Sequence, residues 1–300
     1  MTKLETMPSY FIGHGGVGVL NTSRTYLDHY RNQLTLIGEE ILSLNPKAVI
    51  VTSGHFESPH GQNKIQINVK ENTDVAYDYF FKHDDPEVYK LKFDHHGSKA
   101  IADELAEYLK DVDKSLLIEK IEKDTDHGVW VPCKLMFREE NLPLKFPIIS
   151  LSTLNPKYNN FNQQINLGIS LSKLREMGYI IVNLGMIVHN VYASLNASKV
   201  IDQFKNDKYK LGTITNDNFE RDFTKEAQDL VSLDNIIERR KMTADLEFNT
   251  SSNLRFAHPS LEHFTPFLIF IGTSLNDDSG FTYDINTYDK GMSYASFKFE

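Results

Sequence analysis

The chain has 300 residues, 40% hydrophobic and 24% charged, the balance of an ordinary globular domain long enough to bury a substantial core. A formal net charge of −9 and a pI of about 5.7 weigh against a nucleic-acid or anionic-membrane surface, and leave a small molecule as the expected partner. A single cysteine, Cys133, rules out an internal disulfide, and residues Met1 to Ser9 lack the apolar run of a secretory signal, so a cytoplasmic location is expected.

In chain order, short β-branched runs end abruptly in Gly, Ser or Asn and give way to helical periodicity. Tyr10–Ile12 precedes Gly13–His14 and reads as a strand. Leu27, Tyr30, Leu34, Ile37, Ile41 and Leu44 recur at intervals of three and four, a helix with one face on a sheet, stopped by Pro46. Ala48–Thr52 is the clearest strand and runs into Ser53–Gly54–His55. Ile101, Leu105 and Leu109 mark a second helix, Pro147–Leu151 a strand, and Leu167, Leu171 and Leu174 a third helix closed by Gly178. Tyr179–Asn183 follows as a strand before Leu184–Gly185. The polar region from Asn206 to Asn253 carries Phe219, Phe223, Ala227 and Leu230 at helical spacing and reads as helical, with a lid over a site left open. Thr282–Ile285 and Met292–Phe297 alternate apolar and polar residues, as half-exposed antiparallel strands do. No run reaches the roughly 20 apolar residues of a membrane-spanning helix. Together these predict an α/β fold: one domain over residues 1–300, a sandwich with a central, mostly parallel mixed sheet flanked by helices and antiparallel C-terminal strands.

Five of the eleven histidines stand where one element hands over to the next: His14, His55, His127, His189 and His263. Open α/β sheets bind ligands beyond the carboxyl ends of their strands, so His14, His55 and His189 are expected to share one crevice. His14 and His55 each follow a glycine, which lets the chain turn sharply and a ligand approach closely. Imidazole suits zinc and iron, and a site with open positions admits substrate or oxygen. Taken singly, each histidine has an equally ordinary reading as a loop residue bonded to backbone. Pro259–His263 resembles a helix start, with Ser260 as N-cap and Glu262 favoured by the helix dipole, which gives Glu262 a structural reason to be there. His127 sits in what reads as a turn, where Asp126 could orient its imidazole for proton transfer. Gly13–Gly18 lacks the Lys–Ser/Thr ending of a P-loop, and Cys133 reads as a buried small residue. His60, His95 and His96 read as exposed loop histidines.

The ordered motifs Phe11–Gly15, Val51–Phe56, Asp126–Pro132, Val188–Val191 and His258–Phe264 make the chain resemble the LigB-like class III extradiol ring-cleavage dioxygenases, in the branch containing 4,5-DOPA dioxygenase. The likeness covers almost the whole length. It implies a metal held by His14, His55 and His263, with His189 as acid/base or a further ligand. It also implies that His127 lies in the substrate pocket as a proton-handling residue. Fe(II) is the metal implied for activity, with Zn(II) open as a resting form, and an aromatic diol and O2 are the implied substrates. Two other functions compete: a zinc hydrolase built on the same ligands, and a non-catalytic binding protein on the same scaffold. The oligomeric state, a homo-oligomer included, stays open. The chain departs from the family pattern at Gly15–Gly16–Val17, where Ser–Pro is usual, at Phe56, where tryptophan is common, and at Asp94–His95–His96. These departures leave the metal ligands intact, and DOPA itself is not implied as substrate.

Overall fold

The predicted β-branched runs become strands because side chains on both of their faces are buried. In a computed structural model, residues 6–78, 86–190, 218–249, 252–289 and 291–300 are described. The strands are β1 (Ser9–Gly13), β2 (Ala48–Glu57), β3 (Lys64–Asn68), β4 (Leu117–Ile121), β5 (Ile148–Thr153), β6 (Tyr179–Gly185), β7 (Val188–His189), β8 (Gly280–Asp284), β9 (Met292–Ser293) and β10 (Ser296–Phe299). Eight of them form one sheet in the order β4-β3-β5-β2-β6-β1-β10-β8, and β7 pairs with β9 in a small antiparallel sheet. The middle of the large sheet is parallel: β5 with β2, β2 with β6, and β6 with β1. Its C-terminal edge is antiparallel, β1 with β10 and β10 with β8, as the alternating pattern predicts.

Helices cover both faces. They are α1 (Asp28–Leu44), α2 (Lys99–Val112), α3 (His127–Met136), α4 (Phe161–Ser172), α5 (Phe219–Val231), α6 (Ile236–Asp245), α7 (Leu254–Ala257) and α8 (Thr265–Gly272). The two-residue period of the strands divides the core. Tyr10, Ile12, Val49, Val51, Ile180 and Val182 face α1 and α3, packing with Leu34, Ile37, Ile41 and Trp130. Ala48, Ile50 and Ile181 turn the other way and meet Leu105 and Leu109 of α2 and Leu167 and Leu171 of α4. Phe11, Phe297 and Phe299 pack with Phe267 and Phe270 of α8 and Phe223 of α5. Each such side chain contributes about 1.5–3 kcal/mol by leaving water. Near the amino end of β1, the fully buried Arg175 donates to Met7 O, Thr273 O, Phe299 O and the carboxylate of Asp278, tying the sheet to the end of α8. No helix among the described residues is long and apolar enough to cross a membrane.

Helix ends differ from the sequence reading in two places. The last long helix, α8, begins at Thr265 rather than near Ser260, because Pro266 has no N–H to donate and fits only a first turn. Ser260 instead donates to Glu262 Oε1 at 2.8 Å, and His263 stands in the turn before the helix. Conversely, His127 is the first residue of a helix rather than part of a turn, with Asp126 at its N-cap position. Of the polar region from 206 to 253, residues 219–231 and 236–245 are helical as expected, with Phe223, Ala227 and Leu230 buried. Residues 206–217 and 250–251 of this region lie outside the described residues.

Candidate metal centre

The parallel strands β2, β6 and β1 are neighbours, so the segments leaving their carboxyl ends meet in one place. That brings His14, His55 and His189 together, and the start of α3 and the turn before α8 add His127 and His263 to the same cluster. Ring centroids lie 5.1 Å apart for His14 and His55, 5.3 Å for His14 and His263, and 4.6 Å for His55 and His263. His127 lies 4.0 Å from His55, and His189 stacks on His263 at 3.6 Å with the ring planes 12° apart.

Each side chain is placed by its local backbone. The N–H of His14 donates to Gly185 O at 2.9 Å and its carbonyl accepts from the Tyr30 hydroxyl at 3.0 Å, fixing the residue just past β1. His55 extends from the end of β2, where its N–H donates to Ser53 Oγ and Ser53 Oγ donates to Asp126 Oδ1 at 2.8 Å. Gly54 lets His263 come close: a Cβ there would lie 3.1 Å from His263 Cα and 3.2 Å from Glu262 O. Gly128 does the same for His55, since a Cβ would stand 2.9 Å from His55 Cδ2. His189 is held in β7 by pairing with Met292, and the neighbouring Asn190 donates to Phe256 O.

The hydrogen bonds fix two tautomers. His14 Nδ1 lies 2.7 Å from Gly15 O, and a carbonyl only accepts, so Nδ1 carries the proton and Nε2 keeps a bare lone pair. That Nε2 is buried and has no hydrogen-bond partner. His263 Nδ1 lies 3.1 Å from Glu262 Oε1, which commits that nitrogen to the carboxylate and turns Nε2 inward. His263 Nε2 then faces His55 Nε2 at 3.2 Å. Two imidazole nitrogens bound to one ion at about 2.1 Å, subtending about 100°, have this spacing. The orphaned Nε2 of His14 and the close nitrogen pair are what a cation would satisfy, and the residues fit a metal. One ring nitrogen or carboxylate oxygen from each of His14, His55 and His127 lies within 4.8 Å of the others, and the same holds for His189, Glu262 and His263; the His55–His263 contact joins the two groups.

The electrostatics agree. Burial pushes His14 down to about 3, with the nearby His127 acting in the same direction. Burial, then the charge of His189 and His14, holds His263 well below the usual range. His55 is lowered by desolvation and then by its neighbours His127, His14 and His263. It is the most exposed of the five and opens onto the cavity. Desolvation lowers His127 and His189 also, against the raising effect of nearby carboxylates, led by Asp126 at His127 and Glu262 at His189. All five rings are held neutral, the form that binds metal.

His14, His55, His127 and His189 open onto a cavity of about 670 Å³, lined also by the segment 15–22, Arg24, Asp78, Met186 and Tyr294. Three features of this site were not read from the sequence. The carboxylate 3.6 Å from His127 Nδ1 belongs to Asp78, while Asp126 is engaged by Ser53 and stands 3.6 Å from Lys123 Nζ. Glu262 accepts from His263, a role masked by its ordinary place near a helix start. Arg24 reads as a loop arginine until the fold puts it on the cavity wall. His95, expected to be exposed, is 6% exposed, and Cys133 is buried as expected.

A family model described as the catalytic LigB subunit of aromatic ring-opening dioxygenase matches residues 11–289. The chain belongs to the LigB family. This LigB-family chain is 26% identical to a Beta vulgaris protein named 4,5-DOPA dioxygenase extradiol, with 97% of the chain and 96% of that protein aligned. It is 28% identical to a Schizosaccharomyces pombe protein named 4,5-DOPA dioxygenase extradiol-like protein, over 94% of the chain and 90% of that protein. Its fold matches the crystal structure of an uncharacterized Escherichia coli K12 protein at a TM-score of 0.65 and 17% identity, covering 98% of this chain and 100% of that one.

Proposed function

We propose that this LigB-family protein is a non-haem Fe(II)-dependent extradiol dioxygenase that opens the ring of an aromatic diol with O2, with His14, His55 and His263 as its protein ligands. The observation that carries the reading is the set of three neutral imidazoles at the sheet's carboxyl end. Two have their second nitrogen committed elsewhere, and His55 faces a cavity large enough for an aromatic ring. When bound, the metal supplies a meeting place for diol and dioxygen and a route for ring electrons to reach oxygen; three neutral protein ligands leave it open positions and a positive charge that favours an ionised diol.

The chain's own groups handle protons and position. His127, 4.0 Å from His55 and backed by Asp78, is placed to accept a proton from a diol hydroxyl and return it later. His189 stacks face to face on His263, so the in-plane lone pairs of the two rings run side by side and do not converge. That geometry favours His189 as a second proton-handling group over a fourth ligand. Met186 and Tyr294 add apolar surface for the ring, and Tyr294 is held in place by packing on Tyr30 at 4.9 Å.

The test is anaerobic reconstitution with Fe(II) followed by O2 uptake against a panel of substituted catechols. Stoichiometric O2 consumption with a yellow ring-opened product is expected. Full zinc occupancy with no O2 uptake on any diol would overturn the assignment in favour of a hydrolase.

A further inference from the structure

Besides histidines, the cavity is lined by the segment from Gly15 to Thr22 and by Arg24. This segment is built rather than loose. Val17 and Val19 are buried in the core, and the buried Arg31 holds the far end: its Nη1 donates to Val19 O at 3.0 Å and its Nη2 to Arg24 O at 2.8 Å. The Arg24 guanidinium lies on the bare Cα of Gly18, where a Cβ would come 2.9 Å from Nη1 and 3.1 Å from Cζ.

The charge of Arg24 is not taken up by the cavity's own carboxylates. Asp289 Oδ2 accepts from the Tyr26 hydroxyl at 2.7 Å, Glu87 pairs with Lys90, and Asp78 lies beside His127. The Arg24 side chain meets the Tyr26 hydroxyl, and among the described residues it stands in no ion pair. A guanidinium is always charged, and its planar fork matches a carboxylate with two parallel N–H donors. Arg24 is exposed at the cavity wall, so its guanidinium is within reach of a ligand that enters.

We propose that Arg24 is a specificity-determining residue, which seats a carboxylate carried on a side arm of the aromatic diol. The inference rests on the diol-cleaving reading above. Its test compares dihydrocaffeate with propylcatechol, the same ring and arm with a methyl group in place of the carboxylate. The ratio of kcat/KM for the two is measured in the iron-loaded protein, and the ratio of their Kd values by calorimetry without oxygen. Wild type is expected to favour dihydrocaffeate by about 10- to 100-fold, the scale of a charge-assisted hydrogen-bonded pair. Arg24→Gln should collapse both ratios and Arg24→Lys should restore part. Gly18→Ala, which pushes the guanidinium off its seat, provides a second route to the same loss should Arg24→Gln fail to fold. Ratios in Arg24→Gln or Gly18→Ala equal to wild type overturn the proposal, as does a wild-type preference for propylcatechol. If wild type turns over neither diol, the parent reading has failed, and the calorimetric ratio still decides the role of Arg24.

Discussion

Two kinds of buried histidine stand side by side in this protein, and the contrast between them shows what distinguishes a candidate ligand from a core residue. His95 spends both ring nitrogens inside the fold, on Phe93 O at 2.9 Å and Thr125 Oγ1 at 2.6 Å. His14 spends one nitrogen on Gly15 O and keeps the other bare beside the cavity. His258 shows that a bare nitrogen is not sufficient. Its Nε2 lies 2.7 Å from Ile187 O and its Nδ1 has no partner, but its ring contacts are with Phe223 and Phe264. What marks His55 and His263, with His14 beside them, is convergence: their Nε2 atoms stand 3.2 Å apart and His14 keeps a bare Nε2 in the same cluster, an arrangement that a cation relieves.

Removing a converging nitrogen should have the largest effect. His14→Ala is expected to abolish stoichiometric metal binding and to lower diol cleavage by more than about 100-fold, since loss of a ligand should exceed the effect of losing an outer partner. Metal analysis after gel filtration reads the first, and O2 uptake the second. A variant that kept its metal would break the contrast with His95.

Next in size is the carboxylate behind a ligand. Glu262→Ala leaves His263 Nδ1 without its 3.1 Å acceptor, so metal affinity should fall by about 10- to 100-fold while the fold is retained. Competition with a chelator measures this. Unchanged affinity would mean that packing against Gly54 alone orients the ring.

The sequence disclosed these groups unevenly, for physical reasons. The strands and their terminal histidines were legible because a buried parallel strand is a continuous β-branched run, and the Gly–His after it falls where such sheets bind ligands. The start of α8 was misread because Ser260 and Glu262 look like a capped first turn, whereas Pro266 dictates the real one. Asp78 and Arg24 carried no signal: a polar residue in an aperiodic segment acquires a role only when the fold brings it to a cavity. His95 looked exposed because its partner, Thr125, is a tertiary neighbour that local sequence does not reveal.

A pH titration isolates one buried histidine that stands outside the cluster. Burial holds His258 at about 3, far below the unfolded value. Between these two values the unfolded chain binds a proton that the folded chain refuses, so stability is greatest above about 6.5 and falls as pH drops through it. At about pH 5 this one group should cost about 2 kcal/mol. Urea unfolding of metal-free protein should therefore lose stability between about pH 7 and pH 5. In His258→Gln the loss should be smaller by about that amount. An identical slope in the variant would show that His258 takes up a proton in the folded state.

The smallest effect probes the satisfied side of the contrast. Thr125 is 3% exposed, and its backbone is already tied to its neighbours: its N–H donates to Asp74 O at 2.8 Å and its carbonyl accepts from Ala76 N–H at 2.7 Å. Thr125→Val conserves volume and removes only the hydroxyl, leaving His95 Nε2 buried without its partner at a cost of about 1–3 kcal/mol. Because the backbone that leads into α3 keeps both of its bonds, His127 should hold its place, and metal content and the pH dependence of turnover should match wild type. A fall in stability with turnover intact would place His95 and Thr125 in the scaffold alone. A shift in the pH profile instead would mean that the Thr125 side chain helps to set the position of His127, and that the boundary between structural and working histidines runs through this hydrogen bond.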